Sequence, residues 1–334
     1  ISGCDEARGP TDSTGTSPQG ASAELSVNRL PGEMDATEPL DDLTHASWSS
    51  QHGLPQVSVQ AVIQSASGHI WLGTQEGLVR FNGLEFTIFD QDSLTGILNN
   101  HVTAIVEASP GRLFVGTYGG GLYELSPGGA TPITTETGIS SNTVTTLAFD
   151  SKGGLWIGTE AAGLNHLRND SVRTFSTAEG LPHNRINDLL IDDTGKVWVG
   201  TSSGLATIVE GRVDVVAAAE LANRHVTALA PDRHGGIWVG TTSGLYHATG
   251  GEMRPHSASD GLLGSWVASL HCDAAGTLFV GTLEGLSRIR GDEVSTLRLQ
   301  GGQTATIVSA LLVDRGHSLW VGTETSGLHQ LRTA

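Results

Sequence analysis

The chain has 334 residues, a mass of 34.7 kDa and a formal net charge of −17, from 35 Asp and Glu against 18 Lys and Arg. Such a surface repels phosphate backbones and excludes nucleic acid as the expected partner. A 38% hydrophobic and 16% charged composition fits a folded chain, and 45 glycines without a Gly-X-Y period exclude collagen and point to turn-rich β structure.

Two cysteines, Cys4 and Cys272, supply neither a disulfide framework nor a metal cage. Cys272 lies in an apolar stretch, where a thiol behaves as a small hydrophobe. The start Ile1-Ser2-Gly3-Cys4 resembles the end of a bacterial lipoprotein signal, which implies lipidation at Cys4; the alternative is a fragment boundary with a chance cysteine. Residues 5–42 are rich in Ser, Thr, Gly, Pro, Asp and Glu. A segment of that composition buries too little apolar surface to offset its ordering entropy, so residues 1–42 are expected to be a signal remnant and an acidic linker. The folded domain is expected over 43–334. No apolar run approaches the roughly 18 residues that span a bilayer.

From Leu43 onward the sequence is periodic. An aromatic-x-Gly-Thr unit begins at Trp71, Phe114, Trp156, Trp198, Trp238, Phe279 and Trp320, with its glycines 43, 42, 42, 40, 41 and 41 residues apart. A Gly-Leu pair follows each Thr, from Gly77-Leu78 to Gly327-Leu328. Upstream lies an Asp-x-x-Gly turn, as at Asp150–Gly153, Asp192–Gly195, Asp232–Gly235 and Asp273–Gly276. Each copy therefore reads as four short strands; in the third these are Val144–Phe149, Gly154–Gly158, Gly163–Leu167 and Val172–Phe175. Units this small bury their faces only against neighbours, and a radial arrangement achieves it.

The expected fold is all-β, a seven-bladed propeller of four-stranded blades. Its seven ring aromatics wedge between blades, with small Gly and Thr near the crowded axis. The last copy ends after its third strand. The segment Trp48–Pro55 aligns with Phe175–Pro182, so Thr44–Trp48 matches an outermost strand and is expected to complete the seventh blade.

The pattern Gly-Leu-Pro-x-Asn, an apolar strand, Asp-x-x-Gly-x-Leu-Trp-Ile-Gly-Thr and Gly-Leu-x-Arg-Phe resembles the two-component regulator propeller family. Gly180–Gly204 and Gly153–Leu167 carry it best, with a Gly-Leu-Val-Arg-Phe-Asn variant at Gly77–Asn82. The resemblance covers residues 44–334. It implies an extracytoplasmic, periplasmic sensor region of bacterial hybrid histidine kinases and diguanylate cyclases, many of which detect carbohydrate or another small nutrient. The chain departs from the pattern where Ser65 and Ala108 replace the turn Asp, where His317 replaces the turn Gly, and where Phe114 and Phe279 replace Trp.

Function in propellers gathers at the end where inter-blade loops and the second hairpins converge. The position just before each innermost strand reads Ser58, His101, Thr143, Arg185, His225, Trp266 and Ile307. Scaffold positions repeat between copies whereas this one varies, as an asymmetric ligand requires. Blades four to six add His183 and Arg224, so His101, His183, Arg185, Arg224, His225 and Trp266 form the candidate ligand-binding set. Trp266 offers a stacking face for a sugar, and arginine a planar fork for a carboxylate or sulfate. Plain loop chemistry is the alternative for each. The recurring Asn100, Asn142 and Asn184 read as turn stabilisers, and Glu76, Glu160, Glu284 and Glu324 as solvated rim charges rather than a cation site.

No catalytic motif stands out, and no cofactor or metal is expected. Gly200–Gly204 matches Gly-x-Ser-x-Gly by letter but lies between two strands, where a nucleophile elbow needs a strand-to-helix turn. The expected function is a non-catalytic sensor that binds a small molecule or oligosaccharide and reports to a membrane-bound output domain or a separate partner. The alternatives are a propeller-type lyase or hydrolase using His101, His225 or Arg185, and a protein-binding scaffold lipoprotein. Absence of paired acids and bases weighs against the enzyme.

Overall fold

The computed structural model describes residues 39–256, 260–299 and 306–333. Seven four-stranded antiparallel sheets form in it, six built from consecutive strands and one from the two ends of the chain. The chain is thus a seven-bladed β-propeller. Blades 1 to 6 start at Val59, Val102, Val144, Ile186, Val226 and Val267, and blade 7 at Val308. In blade 3 the strands run Val144–Phe149, Leu155–Thr159, Leu164–Arg168 and Ser171–Phe175, within two residues of the sequence expectation.

Position in the blade sets composition. Second strands such as Ile70–Thr74, Leu155–Thr159 and Ile237–Thr241 are buried along their whole length, because neighbouring blades cover both faces. Outermost strands such as Ser171–Phe175 are mostly exposed, with Phe175 turned into the core. The ring aromatics pack forward. Trp71 joins the core of blade 2 beside Val102 and Val115, Trp156 that of blade 4 beside Ile186 and Val199, and Trp320 that of blade 1 beside Val59 and Leu72.

The glycine after each ring aromatic fixes how closely blades approach. A Cβ on Gly116 would lie 2.5 Å from Val144 Cγ1, and one on Gly240 the same distance from Val267 Cγ1. The following threonine closes the hairpin: Thr74, Thr159 and Thr241 are fully buried and donate Oγ1–H to the carbonyls of Gly77, Gly163 and Gly244 at 2.7–2.8 Å.

Every innermost strand carries a register shift after its first residue, as between Val102 and Ala104 or Val226 and Ala228. The extra residue sends its side chain across to the next blade. Thr103, Thr145, Asn187, Thr227 and Ser309 donate to the carbonyls of Val144, Ile186, Val226, Val267 and Val59 at 2.6–2.7 Å. Blade 6 has Ala268 there, and Ser269 donates to Val308 O instead, at 2.8 Å. Between blades 1 and 2 the link is Gln60 Oε1 with His101 Nε2, 3.0 Å. A hydrogen-bonded belt therefore runs round the axis.

Thr44–Trp48 pairs antiparallel with Leu328–Arg332, Thr44 opposite Arg332 and Trp48 opposite Leu328, so both chain ends share blade 7. Trp48 stacks on Trp320 at 5.6 Å and meets Phe81 edge-on at 5.1 Å, tying the clasp to blade 1. Leu40 and Leu43 are buried against Phe279, Leu299 and Leu319, so Leu40, which the sequence reading assigned to the linker, belongs to the packed chain. Cys4 and most of that linker lie outside the described residues.

Candidate functional site

In five blades the pre-strand residue faces the residue after Gly-Thr. The backbone N–H groups of Tyr118, Glu160, Ser202, Thr242 and Glu324 donate to the carbonyls of His101, Thr143, Arg185, His225 and Ile307 at 2.9–3.2 Å. Two variable rings thus stack at one end of the propeller. A cavity of about 280 Å³ opens there, lined by Gln60, Thr103, Thr145 and Ser309 of the belt and by Tyr118, Glu160, Ile307 and Glu324 of these rings.

None of the six expected residues is in the wall of this cavity, but Arg185 and His101 contact residues that are. Arg185 pairs with Glu160 of the preceding blade at 3.0 Å. Partial burial, then the nearby Arg185 and His183, hold the His225 imidazole below its ordinary range, so it is neutral near pH 7. Burial does the same to His101, which stacks on Tyr118 at 5.4 Å. Trp266, 45% exposed, holds the same register in blade 6. His183 Nδ1 accepts the Arg185 N–H at 2.9 Å and so shapes the entry loop. Arg224 is turned to other partners: it donates to Glu220 O at 2.5 Å and Ser243 Oγ at 2.6 Å, with its guanidinium over Tyr246.

Sequence reasoning missed Tyr118, Gln60 and Asp188. Asp188 follows the bulge of blade 4 and accepts from Leu189 N–H and Leu229 N–H, both at 2.8 Å, and from Thr146 Oγ1 at 3.3 Å. Enclosure among three blades pushes its carboxyl up to about 6 against the pull of those bonds. The available signal was the one Asp at a position that otherwise reads Ala, Thr or Ser. Asn100, Asn142 and Asn184 accept the N–H of Gln91, Thr135 and Thr177 at 2.8–2.9 Å, the expected turn role.

Of the loop acids, Glu160 pairs with Arg185 and Glu284 with Arg298, and among the described residues no cluster of three or more His, Cys, Asp or Glu is arranged to hold a metal. Ser202, at the centre of Gly200–Gly204, sits on a strand-to-strand hairpin, and its buried hydroxyl has no hydrogen-bond partner among the described residues. A serine without a base does not make a nucleophile.

Four repeats, at residues 96–119, 138–161, 180–203 and 220–243, match the family model described as Two component regulator propeller. Those four segments carry the repeat of that family. No curated protein matches it in sequence. In structure it is similar to the extracellular domain of a protein described as a hybrid two component system, BT3049, from B. thetaiotaomicron, with 18% identity, a TM-score of 0.76, and 87% of this chain and 42% of that chain covered. It is also similar to a catalytically inactive virginiamycin B lyase from Staphylococcus aureus with quinupristin (11% identity, TM-score 0.71, 87% and 99% covered). A third likeness is to PorZ, a bacterial surface component of the type-IX secretion system of Porphyromonas gingivalis (18%, 0.65, 83% and 47%). At these identities the likeness is one of fold. The chain spans about two fifths of the length of the B. thetaiotaomicron domains.

Proposed function

We propose that this chain is the extracytoplasmic ligand-binding propeller of a bacterial signalling system, non-catalytic itself, and that it takes a small acidic glycan at the axial mouth. The observation that carries this reading is the variable end of the propeller, where Tyr118 and Glu160 line a cavity and His101 and Arg185 contact them, built on a scaffold whose other positions repeat. Two exposed aromatics at that mouth, Tyr118 at 52% and Trp266 at 45%, suit sugar stacking. Arg185 supplies a planar fork for a uronate or sulfate. The family match supports a role in signalling, with output in a membrane-bound domain or a separate partner, and anchoring through Cys4 is part of the same reading.

Calorimetric titration with digalacturonate, a sulfated disaccharide and neutral cellobiose tests it. The acidic sugars are expected to bind, and Arg185→Ala or Trp266→Ala to weaken binding tenfold or more while leaving the thermal midpoint unchanged. Failure of all three sugars to bind overturns the glycan reading. Turnover of any of them, lost in His101→Ala, turns the reading to an enzyme.

A further inference from the structure

The seven repeats are internal controls for one another, and one charged site in them is incomplete. In blades 3, 4 and 7 the turn Asp accepts the ring tryptophan's indole N–H: Trp156 to Asp150 at 3.3 Å, Trp198 to Asp192 at 3.0 Å, and Trp320 to Asp314 at 2.7 Å. In blades 3 and 5 that Asp also binds a histidine on the third strand, His166 with Asp150 and His247 with Asp232, both 2.9 Å. Each histidine lies flat on the tryptophan opposite it, ring centroids 4.0–4.1 Å apart. Blade 2 reverses the charges, with Glu124 on the third strand opposite Phe114 and paired with Arg112 at 2.5 Å.

Blade 1 keeps the cation and lacks the acid. Arg80 stands opposite Trp71, as His166 stands opposite Trp156. Its guanidinium lies 5.9 Å from the Trp71 ring and 5.7 Å from the Phe89 ring. Ser65 holds the turn position, with the Ser65 N–H bonded to His69 O just as the Asp150 N–H is bonded to Gly154 O. Serine is too short to reach the indole. Among the described residues Trp71 donates no hydrogen bond, and Arg80 makes no ion pair and only one long bond, 3.4 Å, to the Thr87 hydroxyl. Glu107 of blade 2 lies nearby, but its carboxylate accepts the N–H groups of Ala66, at 2.6 Å, and Gly111.

A cavity opens at this point between blades 1 and 2. It measures about 430 Å³, within the usual range of small-molecule pockets. Ser65, Trp71, Arg80 and Glu107 are at its wall, with Phe89 and Leu113 among its apolar lining. It is reached from the turns between first and second strands, the end opposite the axial mouth.

We propose that this cavity binds a small aromatic carboxylate, whose acid group takes the place of the Asp missing from blade 1. The carboxylate accepts from Arg80 and the Trp71 indole N–H, as Asp150 accepts from His166 and Trp156. The aromatic body lies against Phe89 and Leu113. The sister blades specify a carboxylate, because that group fills the same position wherever it is present.

The test is calorimetric titration of the full chain with phenylacetate, indole-3-acetate and 3-phenylpropionate, with phenylacetamide as the uncharged control. At least one acid is expected to bind at one site, and the amide to bind tenfold or more weakly, the usual effect of losing a charge-assisted hydrogen bond. Arg80→Gln is expected to weaken the acid to the same degree. Ser65→Asp, which restores the repeat's own carboxylate, is expected to abolish binding and raise the thermal midpoint. The proposal is overturned if none of the three acids binds at millimolar concentration, if the amide binds as tightly, or if Arg80→Gln leaves affinity unchanged.

Discussion

The Nε2 atom of His271 accepts the backbone N–H of Val313 at 3.2 Å, so a titratable ring bridges blades 6 and 7. Only the neutral imidazole can accept that bond. Burial holds His271 down to about 4 and, with the neighbouring His45, holds His329 of the clasp down to about 4 as well. An unfolded histidine takes its proton near 6.5. The stability from these two groups is therefore full above pH 6.5 and is lost as pH falls from 6.5 toward 4. Asp188, raised to about 6, acts in the opposite sense between 3.8 and 6, because the folded chain binds that proton first. Two histidines outweigh one carboxyl, each contributing on the order of 3 kcal/mol. Urea midpoints should fall steadily from pH 7 to pH 4.5, and His271→Gln should flatten part of the fall. Parallel profiles for the two proteins would contradict this.

The belt round the axis makes a second prediction. Thr145→Val removes the hydroxyl that bonds Ile186 O at 2.6 Å with little change of shape. It should cost about 1 kcal/mol of unfolding free energy, whereas Thr145→Ser should cost less. A cost for Thr145→Ser as large as that for Thr145→Val in chemical denaturation would contradict this, because the methyl would then count for as much as the hydroxyl.

Blade spacing makes a third. Gly240→Ala places a methyl 2.5 Å from Val267 Cγ1 and should destabilise by about 1–3 kcal/mol. In a double-mutant cycle with Val267→Ala the two losses should be less than additive, because the second change removes the atom the first one strikes. Strict additivity would place the strain elsewhere.

The clasp makes a fourth. Trp48→Ala removes the contacts to Trp320 and Phe81 and should lower stability by about 3 kcal/mol. Limited proteolysis should then cut first near the chain ends. An unchanged cleavage pattern would mean that blade 7 holds without the side chain.

Much of the fold is legible in the sequence. The aromatic-x-Gly-Thr spacing fixes seven copies, because each aromatic must meet the next blade at one height, and Trp71, Trp156 and Trp320 do so. The match between Ser49–Gly53 and Ser176–Gly180 foretold the clasp for a physical reason. Both segments are the same capped turn ending in a left-handed glycine, Gly53 at φ 92° and Gly180 at φ 105°. His317 takes the turn glycine's place with φ 61°, a conformation that a branched residue would resist more.

The mouth was only half legible. His101, Arg185, His225 and Trp266 stood out by varying at one register, but their partners Gln60, Tyr118 and Glu160 come from other strands and blades. The bulge that aims Gln60 inward depends on register, which composition does not reveal. Arg224 looked like part of the patch because it adjoins His225, yet its side chain spends its donors on Glu220 and Ser243. The second oxygen of the turn Asp was also hidden: its bond to the tryptophan six residues on needs the hairpin's geometry.

A crystal structure of the full chain with digalacturonate tests the central claim most directly. Sugar density is expected at the axial mouth, with a carboxylate on Arg185 and a ring against Tyr118 or Trp266. A bound sugar seated elsewhere on the propeller, with the mouth empty, would contradict it.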